Sequence, residues 1–263
     1  MKKKTSFIYK IIRALVLFFY PRMEVVGEEN LPDGPYIVVG NHSQMHGPVA
    51  CELYFPGRHF IWCISQMMDH KLVPEYAYQD FWSKKPLCIR WFFKILSYVI
   101  APVAECIFTN ADTIPVYRDK RIFETMEQSV KCLDEGAGVI IFPEDYDEYN
   151  NIVHDFQRGF VSVAKRFYSR TGREVSFVPL YVCPRLKKLV IGKPVIYDHT
   201  AVSAREQERI CTYLMEEISQ MAYSLPPHKV VPYPNISPRL YQMNQRPSKE
   251  NIEVGGQNEK TGG

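Results

Sequence analysis

The feature that most constrains this chain is a recurring unit. A short run of β-branched and aromatic residues is followed by a stretch with helical periodicity. The runs are Tyr36–Val39, His59–Ile64, Thr113–Tyr117, Val139–Phe142, Val175–Val182 and Lys188–Ile196. Gly40 ends the first of them and Pro143 cuts the fourth. Between and after them, Pro48–Tyr54, Leu87–Phe108, Arg121–Glu135, Gly159–Arg170 and Ser203–Ser224 read as helices. Pro48 suits a first helical turn and Gly136 a helix end. Ser203 with Glu206 three residues on predicts a capping box. Strand–helix alternation of this kind predicts an α/β fold, one sheet with helices on its faces. In such sheets ligands gather at the carboxyl ends of the strands, so the residues that follow each run are the ones to inspect.

Charge divides the chain. It carries 32 basic and 29 acidic residues, a net of +3. Six bases (Lys2, Lys3, Lys4, Lys10, Arg13, Arg22) and no acid lie in residues 1–22, and five bases and three acids lie beyond Pro226. Residues 23–225 therefore hold 21 bases against 26 acids, a net of −5. An acidic body excludes nucleic-acid binding, which needs a basic face on the domain. A basic, apolar leader instead suits the surface of an anionic membrane. Phe7–Tyr20 is too short for a comfortable span of roughly 20 apolar residues and is interrupted by Lys10 and Arg13. It reads as an amphipathic interfacial helix with snorkelling bases, the alternative being a core helix of a soluble domain. No small-residue cleavage site follows it, which disfavours a signal peptide. The seven cysteines form no Cys-x-x-Cys pair, which predicts reduced thiols and no zinc site. Three parts are expected: a leader, 1–22; an α/β domain, 23–225; and an irregular proline-rich arm, 226–263, disordered past about Asn244.

Four segments carry the chemistry. Asn41-His42, with His46 close behind, follows the first run, and a histidine there can serve as a general base. Ile114–Arg118 ends in an arginine. Phe142-Pro143-Glu144 ends a buried strand in a carboxylate. Val178-Pro179 lies in the fifth run. In this order the segments resemble the blocks of the glycerolphosphate and lysophosphatidate acyltransferase family: Asn-His-x4-Asp, Ile-x-Arg, Phe-Pro-Glu-Gly-Thr-Arg-Ser and Val-Pro. Val26–Pro32, Phe156–Ala164 and Ile191–Val195 are similar to flanking text in the same family, so the likeness runs from about Val25 to Met221.

The resemblance implies a glycerolphosphate-acyltransferase-like mixed sheet flanked by helices. It implies transfer of an acyl group from acyl-CoA or acyl carrier protein to a hydroxyl of a lysolipid or other lipid precursor. The expected setting is the cytoplasmic face of a bilayer, with the protein peripheral or monotopic, and no cofactor or metal is called for. His42 would be the base, Arg118 the anion grip, and Asn41 and Pro179 would border the substrate. The chain departs from the pattern twice. Gly47 stands where the family has the aspartate that orients the histidine, so Glu144, or a share of the work by His46, is expected to fill that role. The third block continues Asp145-Tyr146-Asp147-Glu148, with Asp147 at the place of the family's phosphate-binding arginine. A carboxylate there repels phosphate, so Asp145 and Asp147 are read as contacts to an acceptor bearing an amine or a sugar hydroxyl. The alternative function is a catalytically inactive relative that binds lipid or a partner, in which Gly47→Asp would restore activity. Leu87–Phe108 is a second membrane candidate or a buried helix over the sheet. Asp69-His70 reads as surface or turn.

Overall fold

The computed structural model describes residues 6–82 and 86–246. The chain runs α1 (Phe7–Phe19), β1 (Glu24–Val26), β2 (Tyr36–Gly40), α2 (His46–Tyr54), β3 (His59–Ile64) and α3 (Val73–Ala77). It continues with α4 (Leu87–Asn110), β4 (Thr113–Val116), α5 (Ile122–Asp134), β5 (Gly138–Ile141), β6 (Glu144–Glu148) and β7 (His154–Phe156). The last elements are α6 (Ser162–Thr171), β8 (Ser176–Cys183), β9 (Lys188–Ile191), β10 (Val195–Ile196) and α7 (Ser203–Ser224).

The main sheet has the order β1-β9-β8-β2-β5-β3-β4, with β10 added against β8. From β8 to β4 every neighbouring pair is parallel, while β9 and β10 run antiparallel to β8. The carboxyl ends of β8, β2, β5, β3 and β4 therefore share one edge, as the alternation predicts for an α/β sheet. The strands at the centre are apolar throughout because both faces are covered. Alternate side chains go to opposite sides: Ile37, Val39, Val139, Ile141, Phe177 and Tyr181 pack under the helices α5 to α7. Val38, Ile140, Val178 and Leu180 pack toward α2.

One expectation for local structure is corrected. Helix α7 covers Ser203–Ser224 as predicted, but its cap is Val202 and no side chain caps it. Glu206 is buried and accepts from the Asp198 N–H and the Arg209 guanidinium instead. The arm from Pro226 is irregular in backbone yet folded onto the body. His228, Val230, Val231, Tyr241 and Asn244 are buried, and the Asn244 amide bonds the Ala222 and Leu225 carbonyls at the end of α7. The expectation of disorder past about Asn244 falls mostly on residues 247–263, which lie outside the described part.

Helix α1 is not a core helix. Phe7, Phe18 and Phe19 are each more than 75% exposed. It is held by its polar side: Tyr9 donates from its hydroxyl to Glu52 (2.8 Å), and Arg13 pairs with the same carboxylate (3.5 Å). Arg13 therefore docks the helix on α2 rather than reaching outward, leaving Lys10 as the exposed base of the pair. The alternative of α4 as a buried cover is excluded too, since it hides only Ser97, Ala101 and Ala104.

Candidate active site

The site forms where β2 and β5 end side by side. Beyond Gly40, Asn41 is buried, and its amide acts as one more rung of the sheet. Its Oδ1 accepts from the Val182 N–H (2.7 Å), and its Nδ2 donates to the Val182 carbonyl (3.1 Å) and to Ser43 Oγ (2.8 Å). Asn41 thus ties the loop to β8 instead of bordering substrate.

After Asn41 the chain turns through Ser43 and Gln44, both at positive φ (47° and 55°). Such geometry is costly for non-glycine residues and persists where the surroundings hold it. Here the Gln44 side chain is gripped from outside the loop. Its Nε2 donates to the Pro234 carbonyl (3.2 Å) and to the Tyr241 hydroxyl (3.0 Å), both on the arm. The turn brings the Gln44 carbonyl against His42 Nδ1. A carbonyl only accepts, so Nδ1 carries the proton and Nε2 keeps the lone pair.

Glu144, expected to orient the imidazole, does not touch the ring. One carboxylate oxygen accepts from the His42 backbone N–H and the other from the His154 N–H (3.0 Å). It fixes the position of the loop, while the Gln44 carbonyl fixes the tautomer. Among the described residues no carboxylate hydrogen-bonds the His42 ring. Burial pushes the Glu144 carboxyl up to about 7, against the pull of the two N–H groups. Phe142 and Tyr233 flank the His42 ring, with centroids at 5.4 and 5.3 Å. The resulting desolvation holds the imidazole below its ordinary value, against the Gln44 carbonyl, which favours the protonated form.

Gly47 closes the turn, donating its N–H to the His42 carbonyl (3.0 Å). A Cβ there would lie 2.6 Å from that carbonyl oxygen and 2.9 Å from the Phe142 ring. The family aspartate has no room at this position, so the rescue expected of Gly47→Asp is withdrawn. His46 does not share the surroundings of His42. Its Nδ1 meets the Tyr20 hydroxyl (3.1 Å) at the end of the leader, and burial, then Arg185, lowers its pKa.

The other candidates spread along the edge. Arg118 is exposed past β4 and forms no ion pair among the described residues, whereas its neighbour Arg121 is held by Asp119. Three inter-strand spacings separate β4 from β2, about 14 Å. Asp145 and Asp147 are exposed on β6, which forms a hairpin with β7. The side chain of Glu148 lies outside the described part. Pro179 is buried opposite Val39, in mid-strand, and faces Gly192, so it is a packing residue and not a border of the site. Asp69 and His70 are on the surface as expected, His70 bonding Glu105 (3.1 Å).

Three participants were not anticipated: Gln44, His154 and Tyr233. Tyr233 sits within 5.4 Å of Tyr146 and 6.2 Å of His154 as well as over His42. Nothing local in the sequence marks it, because its role arises from the path of the arm.

Residues 81–183 match the family model described as Acyltransferase. That stretch contains Arg118, Glu144 and Pro179 and does not include Asn41-His42. No curated protein matches the chain. Among solved structures it is similar to the crystal structure of the 1-acyl-sn-glycerophosphate (LPA) acyltransferase PlsC from Thermotoga maritima. The identity is 16% and the TM-score 0.48, over 83% of this chain and 81% of that one. The matched stretch holds the second, third and fourth blocks, and the fold sets Arg118 and Glu144 from that stretch along the same sheet edge as His42.

Proposed function

We propose that this acyltransferase moves a fatty acyl group from a thioester donor, acyl-CoA or acyl carrier protein, to a hydroxyl of a lysolipid or related lipid precursor at a membrane surface. The carrying observation is His42, whose Nδ1 is committed to the Gln44 carbonyl so that Nε2 is the basic atom. Nε2 takes the proton of the acceptor hydroxyl as its oxygen attacks the thioester carbonyl. The tetrahedral intermediate collapses, the C–S bond breaks, and the thiolate leaves with the proton held by the imidazolium. The donor, the role of His42 and the membrane setting belong to this reading, supported by geometry and resemblance. In a Ser-His-Asp triad the aspartate both fixes the tautomer and stabilises the imidazolium. A carbonyl dipole does the first fully and the second in part, and the Glu144 carboxylate behind the loop adds negative charge nearby.

Arg118 would grip an anionic part of the acceptor away from the reacting hydroxyl. Asp145 and Asp147 on the hairpin favour an acceptor with an amine or sugar hydroxyl there over a second phosphate. The bare sides of α1 and α4 would rest on the bilayer, with the protein lying in the interface.

The test is acyl-CoA-dependent acylation of a panel of lysolipids by wild type and His42→Ala. Loss of 10²-fold or more is expected from removing a general base, and equal rates in both would sink the mechanism. The pH profile sharpens it. As pH falls through about 7, Glu144 takes up a proton, one oxygen ceases to accept, and the loop loosens. As pH falls below the ordinary imidazole value, His42 itself protonates. The rate should be flat above about 7.5 and fall in two steps below, and Glu144→Gln should remove the first step. The absence of a carboxylate on the ring favours one rival, an inactive relative. Binding of acyl ligands with no turnover on any acceptor would establish it.

A further inference from the structure

An open, shallow groove of about 530 Å³ lies between the β8–β9 turn and the arm. Its charged lining is wholly basic. Arg185, Lys229 and Arg239 line it, no acidic residue does, and none of the three forms an ion pair among the described residues. Elsewhere Arg58, Arg121, Arg170 and Arg209 each hold a carboxylate. Arg185 comes from the body and Lys229 and Arg239 from the arm, so cations from two separate segments converge on one groove without an ion-pair partner among the described residues. Leu186, Pro227 and Pro238 supply apolar walls. Cations beside apolar walls are the chemistry for clustered phosphates carried by a flat, partly apolar group.

The groove is built, not a gap between loose segments. Its floor, His228, is buried with both ring nitrogens engaged, Nε2 with the Tyr181 hydroxyl and Nδ1 with the Pro226 carbonyl (2.8 Å each). Its position also connects it to the base. Tyr241 has Arg185 over its ring (5.9 Å), and its hydroxyl accepts from the side chain of Gln44, whose carbonyl holds His42. The β8–β9 turn and Arg118 lie on opposite flanks of β2 along the same edge. A two-substrate transfer needs two such flanks.

We infer that this groove binds the phosphate-bearing nucleotide handle of the acyl-CoA donor, leaving the Arg118 side for the acceptor. The inference rests on the transferase reading and commits it to CoA as donor. A ligand with clustered phosphates could equally be an anionic lipid headgroup, so the experiment separates the two. Binding of CoA and of pantetheine, which lacks the nucleotide and phosphates, is measured by calorimetry on the full chain. Wild type is compared with Lys229→Glu/Arg239→Glu and the milder Lys229→Gln/Arg239→Gln. Both side chains are exposed, so thermal melts of the variants should overlay that of wild type.

Wild type should bind CoA at least tenfold more tightly than pantetheine. The charge-reversed pair should weaken CoA binding at least tenfold, the neutral pair several-fold, and pantetheine binding should not change. Equal CoA affinity in all three proteins would overturn the assignment. So would a charge-reversed pair that loses sedimentation with phosphatidylglycerol-containing vesicles but keeps its CoA affinity, because the groove would then be a headgroup site. The binding measurement needs no turnover. CoA binding that depends on these residues, without acylation of any acceptor, would sink the transferase reading and leave the groove assigned.

Discussion

Helices α4 and α7 are nearly the same length, 24 and 22 residues, and they are built inside out relative to one another. On α7 the buried stripe is Ile210, Leu214, Ile218 and Ala222, one residue per turn, all fully inaccessible, with Glu and Gln on the far side. On α4 the buried stripe has the same periodicity but holds Ser97, Ala101 and Ala104. The large side chains point away: Trp91, Ile95, Tyr98 and Val99 are all more than half exposed. Small residues on the inner face allow close approach to α3 and the sheet edge, yet bury little apolar area. The contrast teaches that α7 is partnered by the sheet and α4 is not fully partnered by the protein at all. Exposed apolar surface of this extent marks an interaction site rather than a fold. Helix α1 lies against α4, with the Ser6 N–H on Asn110 Oδ1 (2.9 Å), and contributes Phe7, Ile8, Phe18 and Phe19 to the exposed apolar surface.

The largest expected effect tests the inner faces. Leu214→Ala on α7 removes a fully buried side chain and should cost about 2–5 kcal/mol in denaturant unfolding. Ala101→Leu on α4 should cost less, about 1–3 kcal/mol, by overpacking a tight contact. If truncating Ile95, on the outer side of α4, destabilised the unbound protein as much as truncating Leu214, the two helices would not differ as described.

Next comes the outer face. Trp91→Asp and Phe92→Asp should leave the unfolding free energy in solution within about 0.5 kcal/mol, as surface substitutions do. Each should weaken binding to lipid vesicles tenfold or more, about 1.4 kcal/mol, because an apolar anchor is lost and a charge must be kept out of the acyl region. Unchanged sedimentation of both variants with vesicles would break the link between the bare face and the bilayer.

The same contrast explains what could be read from the sequence. The α7 stripe and the strands β2, β5 and β8 were legible because burial on both sides of a sheet leaves a periodic record. His42, Arg118 and Glu144 were legible as candidates because chemistry at strand ends follows a short run of apolar residues. What Glu144 does was not legible. The notion that it orients the ring assumed a side chain reaching a side chain, and it reaches two backbone N–H groups. Gln44 gave no signal because its working atom is a main-chain oxygen, aimed by a positive-φ turn no residue type announces. Asn41 and Pro179 were read as borders of the site from the blocks that contain them, whereas in the fold both hold strands together. The arm was legible as irregular from its prolines, but its packing onto the body was not. Its fit depends on contacts such as Asn244 with the end of α7, which no local window contains.

The smallest effect separates two bases that the sequence treats alike. Lys10 and Arg13 are three residues apart and share a side of α1, but Arg13 is paired with Glu52 and Lys10 is exposed. A base near an anionic surface contributes about 1 kcal/mol to attraction, roughly fivefold in binding. Lys10→Gln should therefore weaken sedimentation with anionic vesicles by about fivefold, have no effect on neutral ones, and lose its effect as salt rises, since the attraction decays over a Debye length. Arg13→Gln should weaken both kinds of vesicle alike, because it loosens the docking of α1 on α2 and with it the orientation of the whole apolar side. If the two variants behaved identically, α1 would be acting as a free basic helix. The contact to Glu52, and with it the idea that α1 and α4 present a single fixed face, would then have to be abandoned.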